Sequence, residues 1–164
     1  MELKLTSCPI TLAEGFDQYS PLGLRQLFGG RKTSYFLPYE SHQPTNESEM
    51  EEMLENRKRI SISGAQEKLS AIWEKGNIRL TKEGEKGTYI LKPIPRDMDR
   101  IEMVPANEHL TMQIAKQVYS LKTAENGLIF YRNGEPAYLT KRFDIDANSE
   151  KKLGLEDFAT LAGK

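Results

Sequence analysis

A chain of 164 residues, 38% of them apolar or aromatic, is long enough for one domain with a real core. Its net charge of −1 leaves no basic footprint, which sets nucleic acid aside as a direct partner, and its single cysteine, Cys8, excludes an internal disulfide and fits a reducing cytoplasm. No apolar run approaches the ~18 residues of a membrane helix, and Glu2 and Lys4 interrupt the stretch a signal peptide would need, so no membrane partner is expected.

In chain order, residues 1–7 alternate Leu3 and Leu5 with Glu2 and Lys4 and predict a short strand, ended at Cys8-Pro9. Ser20 as a cap, Pro21 at the first helical position, apolar Leu24, Leu27 and Phe28, and Gly29-Gly30 as a stop predict a short helix with one apolar face. Residues 35–44 are aromatic and proline-bearing without a period, and read as an ordered extended segment. From Thr45 the composition changes. Caps and acids come first and Arg57-Lys58-Arg59 last, with Met50, Met53 and Leu54 at helical spacing, which predicts an amphipathic helix over 45–57 with a solvated acidic face.

Residues 59–73 open with Ile60 and Ile62 alternating with Ser61 and Ser63. They break at Gly64-Ala65, place Lys68 just after the break, and resume as a strand with Leu69, Ala71 and Trp73 on one face. This is the layout of a phosphate-binding turn: glycine lets the backbone approach an anion, successive N–H groups point inward, and a lysine adds a point charge. On local chemistry alone the stretch also reads as an ordinary hairpin with a surface lysine. Trp73 reads as core.

The segment from Ser61 to Ser70 resembles the S-x-[SA]-G-[AV]-Q-x-K signature of HipA-family serine/threonine kinases, the toxin halves of bacterial toxin–antitoxin pairs, in which it forms a flexible loop over the nucleotide. Neither a Walker A loop nor the doubled glycine loop of ordinary protein kinases is present. The resemblance implies that Ser63, Gly64, Ala65, Gln66, Glu67 and Lys68 contact the nucleotide, and that Ser61 and Ser63 are positions of self-phosphorylation. Residues 19–30 are similar to the opening of short family members that lack the N-terminal subdomain of full-length HipA, a subdomain that can be supplied by a separate small protein. Cys8 has no paired cysteine, so no metal is expected there.

Beyond the loop, Lys75-Gly76-Asn77 predicts a hairpin turn, residues 78–81 a strand, residues 84–87 a second turn, and residues 88–93 an apolar strand ending in Lys92 and stopped by Pro93. A strand-end lysine is ordinarily solvated; by resemblance Lys92 reaches the nucleotide's phosphates. Residues 105–119 are the strongest helix, with Leu110, Ile114 and Val118 expected to face the sheet alongside Ala115. Glu108 in its first turn is a possible partner for Lys92 by resemblance, although the helix dipole also accounts for an acid there. His42 and His109 read as surface or hydrogen-bonded histidines.

Asn133-Gly134 between two apolar runs predicts a hairpin leading into residues 136–144. By resemblance the end of that second strand is the hinge between kinase lobes, where main-chain groups of Lys141 and Phe143 bond the adenine edge and Arg142 and Asp144 flank the site. Residues 155–161 begin a helix similar to the family's E-D-F-x-x-L-x-G segment.

The fold class expected is α+β: a protein-kinase-like N-lobe with an antiparallel sheet of about five strands and one packing helix, plus a helical N-terminal segment. The organisation expected is residues 1–58 as N-terminal segment, 59–146 as N-lobe with phosphate loop and hinge, and 147–164 as the start of a truncated C-lobe. No H-x-x-D-x-x-x-x-N or D-F-[DG] segment occurs, so no catalytic residue and no metal ligand is expected in this chain, which alone is expected to be inactive. The resemblance implies ATP and Mg²⁺ as cofactors of the complete kinase and a protein substrate such as an aminoacyl-tRNA synthetase. It also implies a cognate antitoxin or separate N-subdomain protein as partner. The alternative is a non-catalytic binding module or degraded kinase remnant acting through a partner lobe or antitoxin.

Overall fold

The computed structural model describes residues 3–41, 67–95, 101–145, 152–156 and 158–163. The amphipathic helix expected over 45–57, His42, and the loop residues Ser61, Ser63, Gly64, Ala65 and Gln66 lie outside the described residues.

Helix α1, Pro21–Phe28, forms where its punctuation dictates. The Ser20 hydroxyl accepts the Gly23 N–H at 3.1 Å, Pro21 opens the first turn, and Gly29 ends the helix in the left-handed conformation at φ 64°. Its inward side carries Gly23, Leu27 and Phe28.

No strand forms in residues 3–6, contrary to the alternation of Leu3 and Leu5. Ser7 makes only an isolated bridge to Glu14, because the chain turns back on itself through the Cys8 N–H to Ala13 carbonyl bond (2.8 Å) with Leu12 at φ 61°. Alternation makes a strand only where a neighbour answers its backbone groups. Cys8 is fully buried beneath α1 and receives the Ser20 N–H on its sulfur at 3.2 Å.

Among the described residues five strands make one curled antiparallel sheet: β1 Leu69–Glu74, β2 Asn77–Leu80, β3 Tyr89–Lys92, β4 Asn126–Phe130 and β5 Pro136–Lys141, in the order β2-β1-β3-β5-β4. Both expected hairpin turns are present. The β1–β2 turn takes Lys75 and Gly76 at φ 47° and 84°, and the β4–β5 turn closes with the Gly134 N–H on the Tyr131 carbonyl at 2.8 Å.

Strand alternation divides the sheet into two faces. Leu69, Ala71, Ile78, Tyr89, Leu91, Ile129, Ala137 and Leu139 share one core with Cys8, Ile10, Leu27, Phe28 and Leu37 of the N-terminal segment. Burial of each large side chain there contributes roughly 1.5–3 kcal/mol. Tyr89 ties the two parts together, its hydroxyl donating to the Leu27 carbonyl at 3.0 Å. Trp73 is half-buried at the margin of this core, its indole N–H donating to Thr33 Oγ1 at 3.0 Å and its ring lying 4.3 Å from the Arg31 guanidinium carbon. The N-terminal segment also covers the β4 edge: Leu128 N–H donates to Pro9, Phe130 N–H to Tyr35, and Leu37 N–H back to Phe130.

Helix α2, Val104–Gln117, follows a 3₁₀ turn at Ile101–Met103 and packs on the opposite face, against β4 and β5. Its orientation reverses the expected one. Pro105, His109 and Gln113 are buried, whereas Leu110, Ile114 and Val118 are 48%, 42% and 69% exposed. The face of the sheet that α2 meets carries Lys92, Asn126 and Tyr138, so hydrogen bonding and charge pairing outweigh burial of the apolar stripe. A one-turn helix α3, Phe158–Leu161, falls within the helix expected over 155–161. Among the described residues no helix is long and apolar enough to cross a membrane. The architecture is α+β.

Candidate functional site

The side chains of interest lie on the α2 face of the sheet. Tyr89 and Leu91 of β3 point to the core, so the alternate residues Ile90 and Lys92 face α2. Pro93 closes the strand directly after the lysine. The Lys92 ammonium meets Glu108 Oε1 at 2.5 Å, with the lysine side chain 18% and the glutamate 28% exposed. The same ammonium lies over the ring of Tyr138, 5.3 Å from its centroid; Tyr138 is the direct cross-strand partner of Lys92 on β5.

Lys68 joins this group. Leu69 pairs with Leu91, so Lys68 and Lys92 stand one step further along the same two strands, at the same end. The Lys68 amine is pushed below the ordinary lysine value, first by partial burial and then by the charge of Lys92, with Glu108 opposing. The charges of Lys92 and Glu108 both act on Lys68, so the three side chains form one electrostatic cluster. Glu67 leads into it along the same chain.

A polar network fixes the helix that carries Glu108. Asn126 Nδ2 donates to the Ala124 carbonyl at 2.8 Å, which orients its amide. Its Oδ1 then accepts from Gln113 Nε2 at 3.3 Å and lies 2.8 Å from His109 Nδ1. An amide oxygen cannot donate, so His109 carries its hydrogen on Nδ1. Its Nε2 is a buried lone pair without a partner among the described residues, and burial holds the imidazole below its usual pKa, with the Asn126 bond opposing. His109 is thus a buried histidine hydrogen-bonded at one nitrogen, the second of the two readings that the sequence allows. Gln117 extends the network by donating to Gln113 Oε1 at 2.8 Å and to the Thr11 carbonyl at 3.0 Å.

The end of β5 is three residues from the Lys92–Tyr138 pair, about 10 Å along the strands. Here Lys141 N–H donates to the Glu125 carbonyl at 2.8 Å and Arg142 N–H to the Thr88 carbonyl at 2.9 Å. The Arg142 side chain forms a two-point pair with Asp144, Nε to Oδ1 at 2.8 Å and Nη2 to Oδ2, and both side chains are nearly inaccessible. The guanidinium bond holds the Asp144 carboxyl below its ordinary value. Phe143 projects outward, 68% exposed. A cavity of about 200 Å³ beside this turn is lined by Ser70, Glu85, Lys86, Gly87, Arg142, Ile145 and Lys152.

The fold thus brings Lys68, Lys92 and Glu108 together at one end of the central strands and gathers Lys141, Arg142 and Phe143 at the other. Sequence reasoning missed Tyr138 and Asn126 as neighbours of the lysine and its helix. Tyr138 is visible only once strand pairing is known, whereas Asn126, a polar residue opening an apolar strand, is a signal legible in the sequence.

Residues 60–164 match the family model of the HipA-like C-terminal domain, and the chain belongs to the HipA-like family, a family known as kinases. A comparison with the curated proteins gives no match.

Proposed function

We propose that the sheet and α2 form the nucleotide-holding lobe of a HipA-like serine/threonine protein kinase. The observation that carries the reading is the Lys92–Glu108 pair, which joins a central strand to the helix lying between β3 and β4. Protein kinases hold the phosphates of ATP with such a strand lysine, oriented by a helix glutamate. A polyanion suits a site that gathers two lysines, Lys68 and Lys92, at the same end of neighbouring strands. The chain's own residues bind and orient: Lys92 and Lys68 meet phosphate oxygens, Glu108 fixes the direction of the Lys92 ammonium, and the main chain of Lys141 and Phe143 receives the base. By family resemblance Ser63, Gly64, Ala65, Gln66 and Glu67 also contact the nucleotide, with Ser61 and Ser63 as self-phosphorylation positions.

Bound Mg²⁺ supplies neutralisation of phosphate charge in such reactions. Among the described residues no three acidic, histidine or cysteine side chains converge to hold it. By family resemblance the phosphorylated group is a serine or threonine hydroxyl of a protein, an aminoacyl-tRNA synthetase being the substrate class. The setting is a cytoplasmic toxin–antitoxin pair with a cognate antitoxin or separate N-subdomain protein.

Titration calorimetry with ATP tests the reading. Lys92→Ala is expected to weaken binding about tenfold or more, equivalent to about 1.4 kcal/mol. Equal heats for the two proteins, or none for either, would leave the non-catalytic binding module as the better account.

A further inference from the structure

We infer that Tyr138 is a positioning residue for Lys92, acting through the face of its ring. The inference rests on the nucleotide reading for its purpose, but not for its geometry. Lys92 and Tyr138 are register partners on β3 and β5, with Nζ 5.3 Å from the ring centroid. The tyrosine is 2% exposed. Its backbone is held in the ladder between Lys92 of β3 and Leu128 of β4, and its ring is buried on the face that α2 covers. Burial, and then the charge of Glu108, push the phenol well above its ordinary value, so the ring stays neutral across the working pH range.

The ammonium consequently has two seats of different kinds. Glu108 offers a full charge from a helix, while Tyr138 offers a quadrupole from the sheet. A ring face attracts a cation without consuming its hydrogen-bond donors, and it adds no negative charge that would repel an incoming phosphate. Lys68 presses from the β1 side with a like charge. A ring rigidly placed opposite the lysine keeps the ammonium on the α2 face against that repulsion, with donors left for an anion. A purely space-filling tyrosine would need only apolar volume at this position.

The two accounts separate in a labelling experiment on the intact chain. Acetic anhydride modification of Lys92 is followed by mass spectrometry from pH 7 to pH 10, without nucleotide, after thermal unfolding monitored by circular dichroism has shown that each variant is folded. Tyr138→Phe is expected to label within about twofold of the unaltered protein, because the ring face is kept. Tyr138→Leu is expected to label about threefold faster near pH 8, the ammonium having lost one stabilising contact. Pentafluorophenylalanine at position 138 keeps the ring's size and inverts its quadrupole, and it is expected to exceed the leucine variant; it also decides the matter if leucine does not fold. Equal labelling across the phenylalanine, leucine and fluorinated variants would overturn the inference. Protection of Lys92 by ATP is read separately in the unaltered protein. Its absence counts against the nucleotide reading and leaves the Tyr138 result standing.

Discussion

His109 Nδ1 lies 2.8 Å from Asn126 Oδ1, and these two side chains, each 1% exposed, join α2 to the first residue of β4. The helix that carries Glu108 is therefore held to the sheet by amide and imidazole groups, while its apolar row of Leu110, Ile114 and Val118 faces outward. Such a junction is directional. Hydrogen bonds fix rotation about the helix axis more sharply than apolar contact does, and a half-satisfied buried network is costly.

Removal of the hub tests that cost. Asn126→Leu leaves the His109 Nδ1–H and the Gln113 amide without their common acceptor, and each buried unmet group costs about 1–3 kcal/mol. Urea unfolding should show a loss of about 2–4 kcal/mol with little change in slope; a loss below about 0.5 kcal/mol would mean that the network does not hold the helix.

Titration of His109 gives a second test. Burial depresses its folded-state pKa below the unfolded value of about 6.5. The neutral form is favoured on folding, so this contribution is complete above the unfolded pKa and is lost as pH falls through the folded one. Stability of the unaltered protein should therefore drop between pH 7 and pH 5 more steeply than that of His109→Gln, as read from urea midpoints. Parallel profiles would contradict this.

The facing of α2 is checked by a pair of substitutions one residue apart. Ile114→Gln alters an exposed position and should change stability by less than about 0.5 kcal/mol. Gln113→Leu, at a buried position, removes the bonds to Asn126 and Gln117 and should cost about 1–3 kcal/mol. The opposite ranking in thermal unfolding would restore the orientation that the apolar spacing suggests.

Asp144→Asn tests the buried pair at the end of β5. The substitution leaves Arg142 without its counter-charge in a nearly inaccessible place, for an expected loss of about 3 kcal/mol. Because the Asp144 carboxyl is held below its ordinary value, the pair's contribution is present above pH ~4 and is lost as pH falls through the lowered folded value. The variant should therefore match the unaltered protein more closely at pH 3 than at pH 7, by denaturant unfolding.

Gly127 marks the contact between β4 and the N-terminal segment. A Cβ there would lie 2.8 Å from Ile10 Cγ1 and 3.2 Å from the Pro9 carbonyl oxygen. Gly127→Ala is expected to cost about 1–3 kcal/mol and to weaken protection of the Leu128 amide from hydrogen exchange. Unchanged exchange at Leu128 would show that the segment yields freely.

Local chemistry was enough for much of this chain. Ser20-Pro21 and Gly29-Gly30 bound α1, Lys75-Gly76 and Asn133-Gly134 set two hairpins, and Pro93 stops β3 just after Lys92, because caps, turns and stops depend on φ, ψ and hydrogen bonds within a few residues. The meeting of Lys92 with Glu108 could be anticipated only through the family resemblance, since sixteen residues separate them. Three things were decided by tertiary structure alone. The alternation of Leu3 and Leu5 found no partner strand and made none. The stripe of Leu110, Ile114 and Val118 had the right period but the wrong side, since the floor beneath α2 proved to be Lys92, Asn126 and Tyr138. Tyr138 came to stand opposite Lys92 through the register of β3 with β5. Periodicity tells which residues share a face; what that face meets is a property of distant segments, and only their packing decides whether burial of apolar area or satisfaction of polar groups prevails.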